Sequence, residues 1–308
     1  MPPLFWTGEL SPVVKLLVNA SCLAALVSGN ARNTVAMKQR MRLGYEGTCT
    51  DHVTRYDTLG LNHFSKIATE LVGGIDLQGK EVLDVGCGTG ILSLQALSRG
   101  AGTVLCTDLS RFMLEQCRQK AAKQGVGKDR IDFRTADAES LPFEDNRFDA
   151  VISGMMFGLV PNQPKVLSEM IRVLKPGGMV AISSHGPGYY HEAIDATIRS
   201  TPLRYAFGYR FEFWPRDEGM LQQMLIQAEY TDIRIRRLTW QDTFADGGKA
   251  YDFFTATSAC WWSSKLPPKK IPEISHRNRE FFKRKNITRI TQDVVLVYGQ
   301  KPETPHSP

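Results

Sequence analysis

The sequence predicts an α/β fold whose central sheet is doubly wound, with helices on both faces. A strand, a glycine-rich turn and a helix follow one another over residues 81–98, and further β-rich runs then alternate with helical segments. Two more strand-like runs lie nearer the C-terminus. The predicted strands are residues 81–85, 102–107, 131–135, 148–153, 179–184, 232–240 and 292–299.

The most informative run is EVLDVGCGTG, residues 81–90. Glycine has no Cβ, so the turn can adopt positive φ and a ligand can lie against the main chain, while a helix starts at Ile91. The glycines are Gly86, Gly88 and Gly90. A dinucleotide turn cradles a pyrophosphate, whose negative charge would oppose a nearby carboxylate. Asp84 therefore indicates a ligand with a cation at this point.

The second and third units add two further acids. Asp108 ends the second strand, and Ser110 starts the next helix. A carboxylate in that position can accept both hydroxyls of a ribose, which NAD and other adenosine ligands share. Asp137 follows the third strand, where it can accept from an adenine amino group, and Ala138 can offer its N–H to the ring.

The later units complete the alternation. Residues 148–153 predict a buried strand, residues 164–174 a helix and Lys175–Gly178 a turn before the strand at 179–184. The order of these motifs is more specific than the glycine turn alone, because many nucleotide sites contain such a turn.

Together these motifs resemble those of class I S-adenosylmethionine-dependent methyltransferases, of the group that includes the ubiquinone and menaquinone biosynthesis enzymes. The resemblance is close over about residues 52–184. It implies a Rossmann-like seven-stranded sheet with six parallel strands and an antiparallel last strand. It also implies S-adenosyl-L-methionine as methyl donor and S-adenosyl-L-homocysteine as product. The cofactor-binding residues it implies are Tyr56, Asp84, Gly86, Gly88, Gly90, Asp108, Leu109, Met113, Asp137, Ala138 and Ser153.

Methyl transfer from a sulfonium requires alignment of the reacting atoms, and it requires a base only if the acceptor holds a proton. His185 is the first candidate base, because it follows the fifth strand directly and imidazole has an ordinary pKa of about 6.5. Tyr189 and Tyr190 are nearby alternatives. A loop histidine that only bonds a neighbouring carbonyl remains an equal interpretation of His185.

The acceptor is predicted to be a small molecule with an apolar or aromatic body. Met155, Met156 and Phe157 follow the fourth strand and suit the wall of an apolar pocket, although a place in the core is an equal alternative. Nucleic acid is disfavoured as a partner, because the chain has neither an Asn-Pro-Pro-Tyr-like run here nor a Pro-Cys nucleophile pair.

Two insertions, at about 185–214 and 246–290, are predicted to form the acceptor cap. Residues 250–262 are rich in aromatic side chains and suit a lid, a dimer contact or a membrane-surface anchor. Residues 265–289 hold nine Lys or Arg against two Glu. That charge suits an anionic acceptor group, a peripheral contact with an anionic membrane, or a solvated helix face.

The predicted organisation is a helical extension over residues 1–75, a catalytic domain over 76–300 and a disordered tail over 301–308. Residues 13–27 are apolar but interrupted by Lys15 and Asn19, which favours a helix packed on the domain or on a second subunit over a membrane span. The chain holds six cysteines and no Cys-x-x-Cys pair, so we predict neither a disulfide framework nor a metal site, and a cytoplasmic location.

Two alternatives remain open at this stage. An NAD-dependent oxidoreductase would share the glycine turn and Asp108, although Asp84, Asp137 and the turn at Lys175–Gly178 argue against it. A subunit that binds the cofactor without catalysis would share every motif.

Overall fold

A computed structural model describes residues 12–13, 16, 50–202, 218–262 and 266–303. Its single sheet has the strand order β3-β2-β1-β4-β5-β7-β6, with β7 antiparallel to both neighbours and the other six strands parallel. The predicted fold class is confirmed. The strands are β1 (Glu81–Val85), β2 (Thr103–Asp108), β3 (Ile131–Thr135), β4 (Phe148–Gly154), β5 (Leu174–His185), β6 (Thr231–Thr243) and β7 (Arg289–Gln300). The helices are α1 (Thr50–Val72), α2 (Ile91–Ser98), α3 (Arg111–Lys123), α4 (Gln163–Val173), α5 (His191–Ser200), α6 (Glu218–Gln227), α7 (Gly247–Trp262) and α8 (Ile271–Arg284).

The sheet is covered on both faces, as the apolar runs of its central strands require. One hydrophobic cluster packs helices α1, α2, α3, α5, α7 and α8 against one face. A second cluster packs α4 and α6 against the other. Because β1, β2 and β4 are parallel, their carboxyl ends meet at one edge of the sheet. This edge is the usual ligand crevice of open α/β sheets.

The predicted turn at 175–178 is absorbed into β5 as an irregularity. Leu174 already pairs with Phe148, and pairing with β4 resumes only where Met179 meets Ala150. Gly177 has a φ of +76°, and Lys175 forms an ion pair with Asp149 in which Nζ lies 2.7 Å from Oδ1. β5 thus begins at Leu174, five residues before its predicted start at residue 179, because Leu174 already pairs with β4 before the irregularity.

Some sequence-based expectations fall outside the described residues. They concern most of the apolar segment 13–27, the aromatic stretch 205–214, residues 263–265 and the end of the tail, 304–308. Among the residues that the structure describes, no helix is both long and apolar enough to cross a membrane.

The loop between β5 and α5 is tied to β7 by a buried carboxylate. Asp293 is 1% exposed, and its Oδ2 accepts from the N–H of Gly188 at 2.6 Å. Arg237 on β6 donates to both carboxylate oxygens, each at 2.7 Å. A Cβ on Gly186 would lie 2.5 Å from Asp293 Oδ1, so the loop approaches the carboxylate as closely as glycine allows. This contact fixes the chain immediately before Tyr189.

We expect Asp293→Ala to lower the free energy of unfolding by about 2–4 kcal/mol, because a buried N–H and a guanidinium both lose their acceptor. Urea denaturation measures the change. The matched control is Asp132→Ala on β3, where the carboxylate is exposed, and there we expect a change within about 0.5 kcal/mol. Equal stability of the two variants would contradict the role given to Asp293.

Candidate active site

The loop between β1 and α2 presents bare main chain to a cavity. The N–H of Gly86 donates to the carbonyl of Thr107 at 2.8 Å, and that of Gly88 donates to Asp108 Oδ2 at 2.9 Å. Gly86 has a φ of +73°, and a Cβ there would lie 2.4 Å from Cγ of Met156. Gly88 has a φ of +53°, and a Cβ there would meet nothing within 4 Å. The backbone at Gly88 thus faces the space in which a ligand can lie.

Asp84 lies behind this loop with one oxygen available. The residue is 0% exposed, and Ser93 Oγ donates to its Oδ2 at 2.5 Å. Oδ1 is buried and has no hydrogen-bond partner among the described residues. Burial raises the pKa of the Asp84 carboxyl to about 8, because the ionised form is poorly solvated. A ligand cation would supply the missing partner and favour ionisation.

Two further carboxylates lie where the sequence predicts them. Asp108 Oδ1 accepts from the N–H of Ser110 at 2.8 Å, and Ser110 Oγ caps α3 by accepting from the N–H of Met113 at 3.2 Å. Asp137 Oδ1 accepts from the N–H of Glu139 at 3.0 Å. Burial raises the pKa of the Asp108 carboxyl. Asp108 and Asp137 line the same cavity, at the carboxyl ends of neighbouring strands.

One cavity brings together most of the predicted site residues. It is lined by Tyr56, Gly86, Gly88, Asp108, Leu109, Met113, Asp137, Ala138, His185, Tyr189 and Tyr190. Asp84 lines a smaller cavity beside it, which shares Tyr56 and Gly86. Gly90 and Ser153 line neither of these two cavities. Gly90 is the N-cap residue that precedes α2, and Ser153 Oγ donates to the carbonyl of Val85 at 2.8 Å. Their roles toward a cofactor stay predictions.

The other half of the large cavity is apolar. Its lining includes Phe64, Met155, Met156, Leu159, Val160 and Pro161. Thr257 and Ser258 of α7 close it from the inserted segment. Phe157, predicted together with the two methionines, is fully buried and packs in the core on the α4 side instead.

A histidine that the sequence did not single out contacts one of the predicted catalytic residues. His63 on α1 is 3% exposed, and its Nε2 lies 2.9 Å from the hydroxyl of Tyr189. Its Nδ1 lies 4.0 Å from Asp242 Oδ2 on β6. Asp242 also accepts from Trp240 Nε1 at 3.1 Å and from Gln292 Nε2 at 2.8 Å. A carboxylate, an imidazole and a phenol thus form a line that ends in the cavity.

Burial sets the charge of this cluster. It lowers the pKa of His63 to about 3, with smaller contributions from His185 and Lys66. It also lowers the pKa of His185 to about 3 and raises the pKa of the Tyr189 hydroxyl well above its ordinary value. The His185 ring meets Tyr189 edge-on at 4.6 Å between centroids. At neutral pH both imidazoles are uncharged, so each has a nitrogen able to accept a proton.

The signal that could have identified His63 is its spacing from Tyr56. Residues seven positions apart are separated by two turns of a helix and lie on the same helix face. His63 is therefore expected on the face of α1 that carries Tyr56. Asp242 offers no comparable signal, because it lies on an edge strand far along the chain.

The chain is similar in sequence to known methyltransferases. The profile of a family described as a methyltransferase domain matches residues 82–178. An uncharacterised protein of Mycobacterium tuberculosis is 37% identical over 121 residues, which cover 39% of this chain and 43% of that protein. The chain thus spans less than half the length of that relative. A demethylmenaquinone methyltransferase of Paenarthrobacter aurescens is 36% identical over 204 residues, which cover 59% of this chain and 75% of that protein.

Among solved structures, the YcgJ protein of Bacillus subtilis superposes with a TM-score of 0.53 at 17% identity. The match covers 79% of this chain and all of that one. At this level of identity the similarity concerns the fold.

Asp84→Asn tests the charge of the buried carboxyl. Because its folded-state pKa is raised from 3.8 to about 8, the folded protein binds the extra proton between these pH values, so this group's contribution to stability falls as pH rises through that range. The variant lacks the titration. We expect the stability difference to move by about 4 kcal/mol in favour of the variant between pH 5 and pH 9, measured by urea denaturation at both values.

Taking the difference between the two proteins at each pH cancels the other titrating groups that they share. A difference that does not change between pH 5 and pH 9 would show that Asp84 is already ionised in the ligand-free protein.

Proposed function

Because this chain belongs to the class I S-adenosylmethionine-dependent methyltransferases, we propose that it transfers a methyl group to a small acceptor with an apolar or aromatic body. The observation that carries the proposal is the single cavity in which Gly88, Asp108 and Asp137 lie on one side and aromatic and methionine side chains on the other. A donor and an apolar acceptor can meet there.

The residues of the first side fit S-adenosylmethionine. The buried Asp84 Oδ1, which has no partner among the described residues, suits the amino group of the methionine part, and the open space at Gly88 suits close approach to main chain. Asp108 suits the ribose hydroxyls, and Asp137 with Ala138 suits the adenine. When bound, the cofactor supplies an electrophilic methyl group on a sulfonium.

The second side favours an acceptor without charge near its reacting atom. The lining of the cavity includes Phe64, Met155, Met156 and Pro161, and it includes none of the lysines and arginines of residues 265–289 that the structure describes. Among those, Arg279 is paired with Asp252 and Lys283 with Glu280. An aromatic apolar acceptor of the kind that the name of the Paenarthrobacter protein implies would be accommodated by such walls.

We also propose that the acceptor loses a proton on methylation, and that Tyr189 and His63 receive it. Tyr189 lines the cavity and its hydroxyl lies 2.9 Å from His63 Nε2, so a proton taken up at the phenol oxygen can be matched by one passed to the imidazole. Asp242, 4.0 Å from Nδ1, would stabilise the imidazolium. Tyr189 is held in place by stacking on Tyr190, with ring centroids 4.0 Å apart.

Tyr190 positions this group from the other side. Its hydroxyl donates to Thr257 Oγ1 at 2.8 Å, which joins the stacked tyrosines to α7. His185 lies edge-on against Tyr189 and shields it from water, so a role as the shield is favoured here over a role as the direct base.

Cofactor binding is the first test. We expect calorimetry to detect binding of S-adenosylhomocysteine and not of NADH. Asp108→Ala should weaken that binding about 10- to 100-fold, because charge-assisted hydrogen bonds to the ribose are lost. Asp132→Ala, on the neighbouring strand, is the control and should bind normally. Binding of NADH in place of S-adenosylhomocysteine would overturn the proposed donor.

The acceptor is tested by incubating the protein and radiolabelled S-adenosylmethionine with a cell extract. We expect label in small molecules that partition into organic solvent, and much less label when Asp108→Ala is used at a cofactor concentration that does not saturate it. Label in RNA or protein would overturn the acceptor class. Binding of S-adenosylhomocysteine without any labelled product would favour a cofactor-binding subunit that lacks catalysis.

With that labelled product as the assay, Tyr189→Phe should lower the rate about 100-fold or more at unchanged cofactor affinity, because the phenol proton path is lost. His63→Gln should lower the rate and flatten its pH profile. The control is Tyr230→Phe, since Tyr230 is buried in the core on the α4 side and donates to the carbonyl of Leu167 at 3.3 Å. Full activity of Tyr189→Phe would remove the phenol from the mechanism.

A further inference from the structure

Three cysteines from separate elements converge beneath the glycine loop. Cys87 lies in the loop itself, Cys106 on β2 and Cys117 on α3, and all three are buried. Their sulfur atoms all lie within 4.8 Å of one another, and those of Cys106 and Cys117 are 3.9 Å apart. The proposed methyl transfer uses none of these thiols.

We propose that Cys87, Cys106 and Cys117 form a binding site for one thiophilic divalent metal ion of the Zn²⁺ class. Zinc binds thiolate sulfur at about 2.3 Å, so three sulfurs around one ion lie about 3.8–4.0 Å apart. The sulfurs of Cys106 and Cys117 already have that separation, and the third needs to move by less than about 1 Å. Soft sulfur donors with no carboxylate among them select such ions over Mg²⁺ or Ca²⁺.

The charge of an occupied site also fits its surroundings. Three thiolates around a divalent ion carry one net negative charge. Lys120 and Arg118 lie on the same helix as Cys117, close enough to favour negative charge at its sulfur.

The hydroxyl of Ser93 is a candidate for the fourth ligand. Ser93 Oγ lies 3.1 Å from Cys106 Sγ and is the same atom that donates to Asp84. The ion would join the cofactor loop to β2 and α3, since a Cβ on Gly90 would lie 2.3 Å from Cys117 Sγ and Cys87 directly precedes Gly88. This places a metal-dependent restraint on the loop that faces the cofactor.

The test uses the full chain, reduced and stripped of metal, without cofactor or acceptor, so its outcome is independent of the proposed activity. Zn²⁺ is titrated against a chromophoric chelator, and Cd²⁺ is added separately to follow sulfur-to-metal charge-transfer absorption. We expect one ion per chain. Affinity should rise with pH, because the thiols must lose their protons to bind the ion.

Cys106→Ser and Cys117→Ser should each weaken Zn²⁺ binding by more than about 100-fold. This exceeds the loss expected when a residue that only contacts a metal ligand is replaced. If either fails to fold by circular dichroism, Cys87→Ala in the loop provides the same comparison. The control replaces the other three cysteines, Cys22, Cys49 and Cys260, with serine and should bind as the parent does. Binding that is absent in the parent, or equal in Cys87→Ala and the parent, would overturn the site.

Discussion

The hydrogen bond from Ser93 to Asp84 is the contact on which this edge of the sheet depends. It joins the first strand to the helix that follows the glycine loop, at a point where neither side chain reaches water. One carboxylate oxygen accepts from Ser93, and the other is buried without a hydrogen-bond partner among the described residues. A buried acid in this state costs stability, and such costs concentrate at functional sites. The Ser93 hydroxyl also accepts from the Cys106 thiol, so Asp84 and the thiol cluster share one hydrogen-bond partner.

The parts of the site that the sequence predicted are those whose geometry is local. In a parallel sheet, the residue at the carboxyl end of each strand is fixed by that strand alone, so Asp84, Asp108 and Asp137 could be placed from their position after a β-rich run. The glycines follow the same logic, because a turn between a strand and a helix fixes their φ. Gly90 and Ser153 line neither of the two described cavities, so their contact with a cofactor stays a prediction from the resemblance.

The parts that were missed depend on elements distant in the chain. His63 on α1 and Asp242 near the end of β6 were not predicted, and only the packing of these elements brings them beside Tyr189, which was predicted. The three cysteines are similar. Each lies in the core on its own element, but periodicity gives no information about which buried side chains from a loop, a strand and a helix touch one another.

The two halves of the cavity differ in the charge of their side chains. The carboxylates on the cofactor side are suited to bind the cofactor in their ionised form. On the acceptor side, burial keeps the imidazoles neutral and raises the pKa of the Tyr189 hydroxyl. Burial alone would make His63 a poor base. In the proposed mechanism Asp242 reduces this cost. Burial raises the pKa of its carboxyl, but its side chain is only partly buried, and its ionised form would pair with the imidazolium between it and Tyr189. In the proposed mechanism, removal of the proton is coupled to methyl transfer. The positive charge that would appear on His63 would be paired with Asp242 without water entering the cavity.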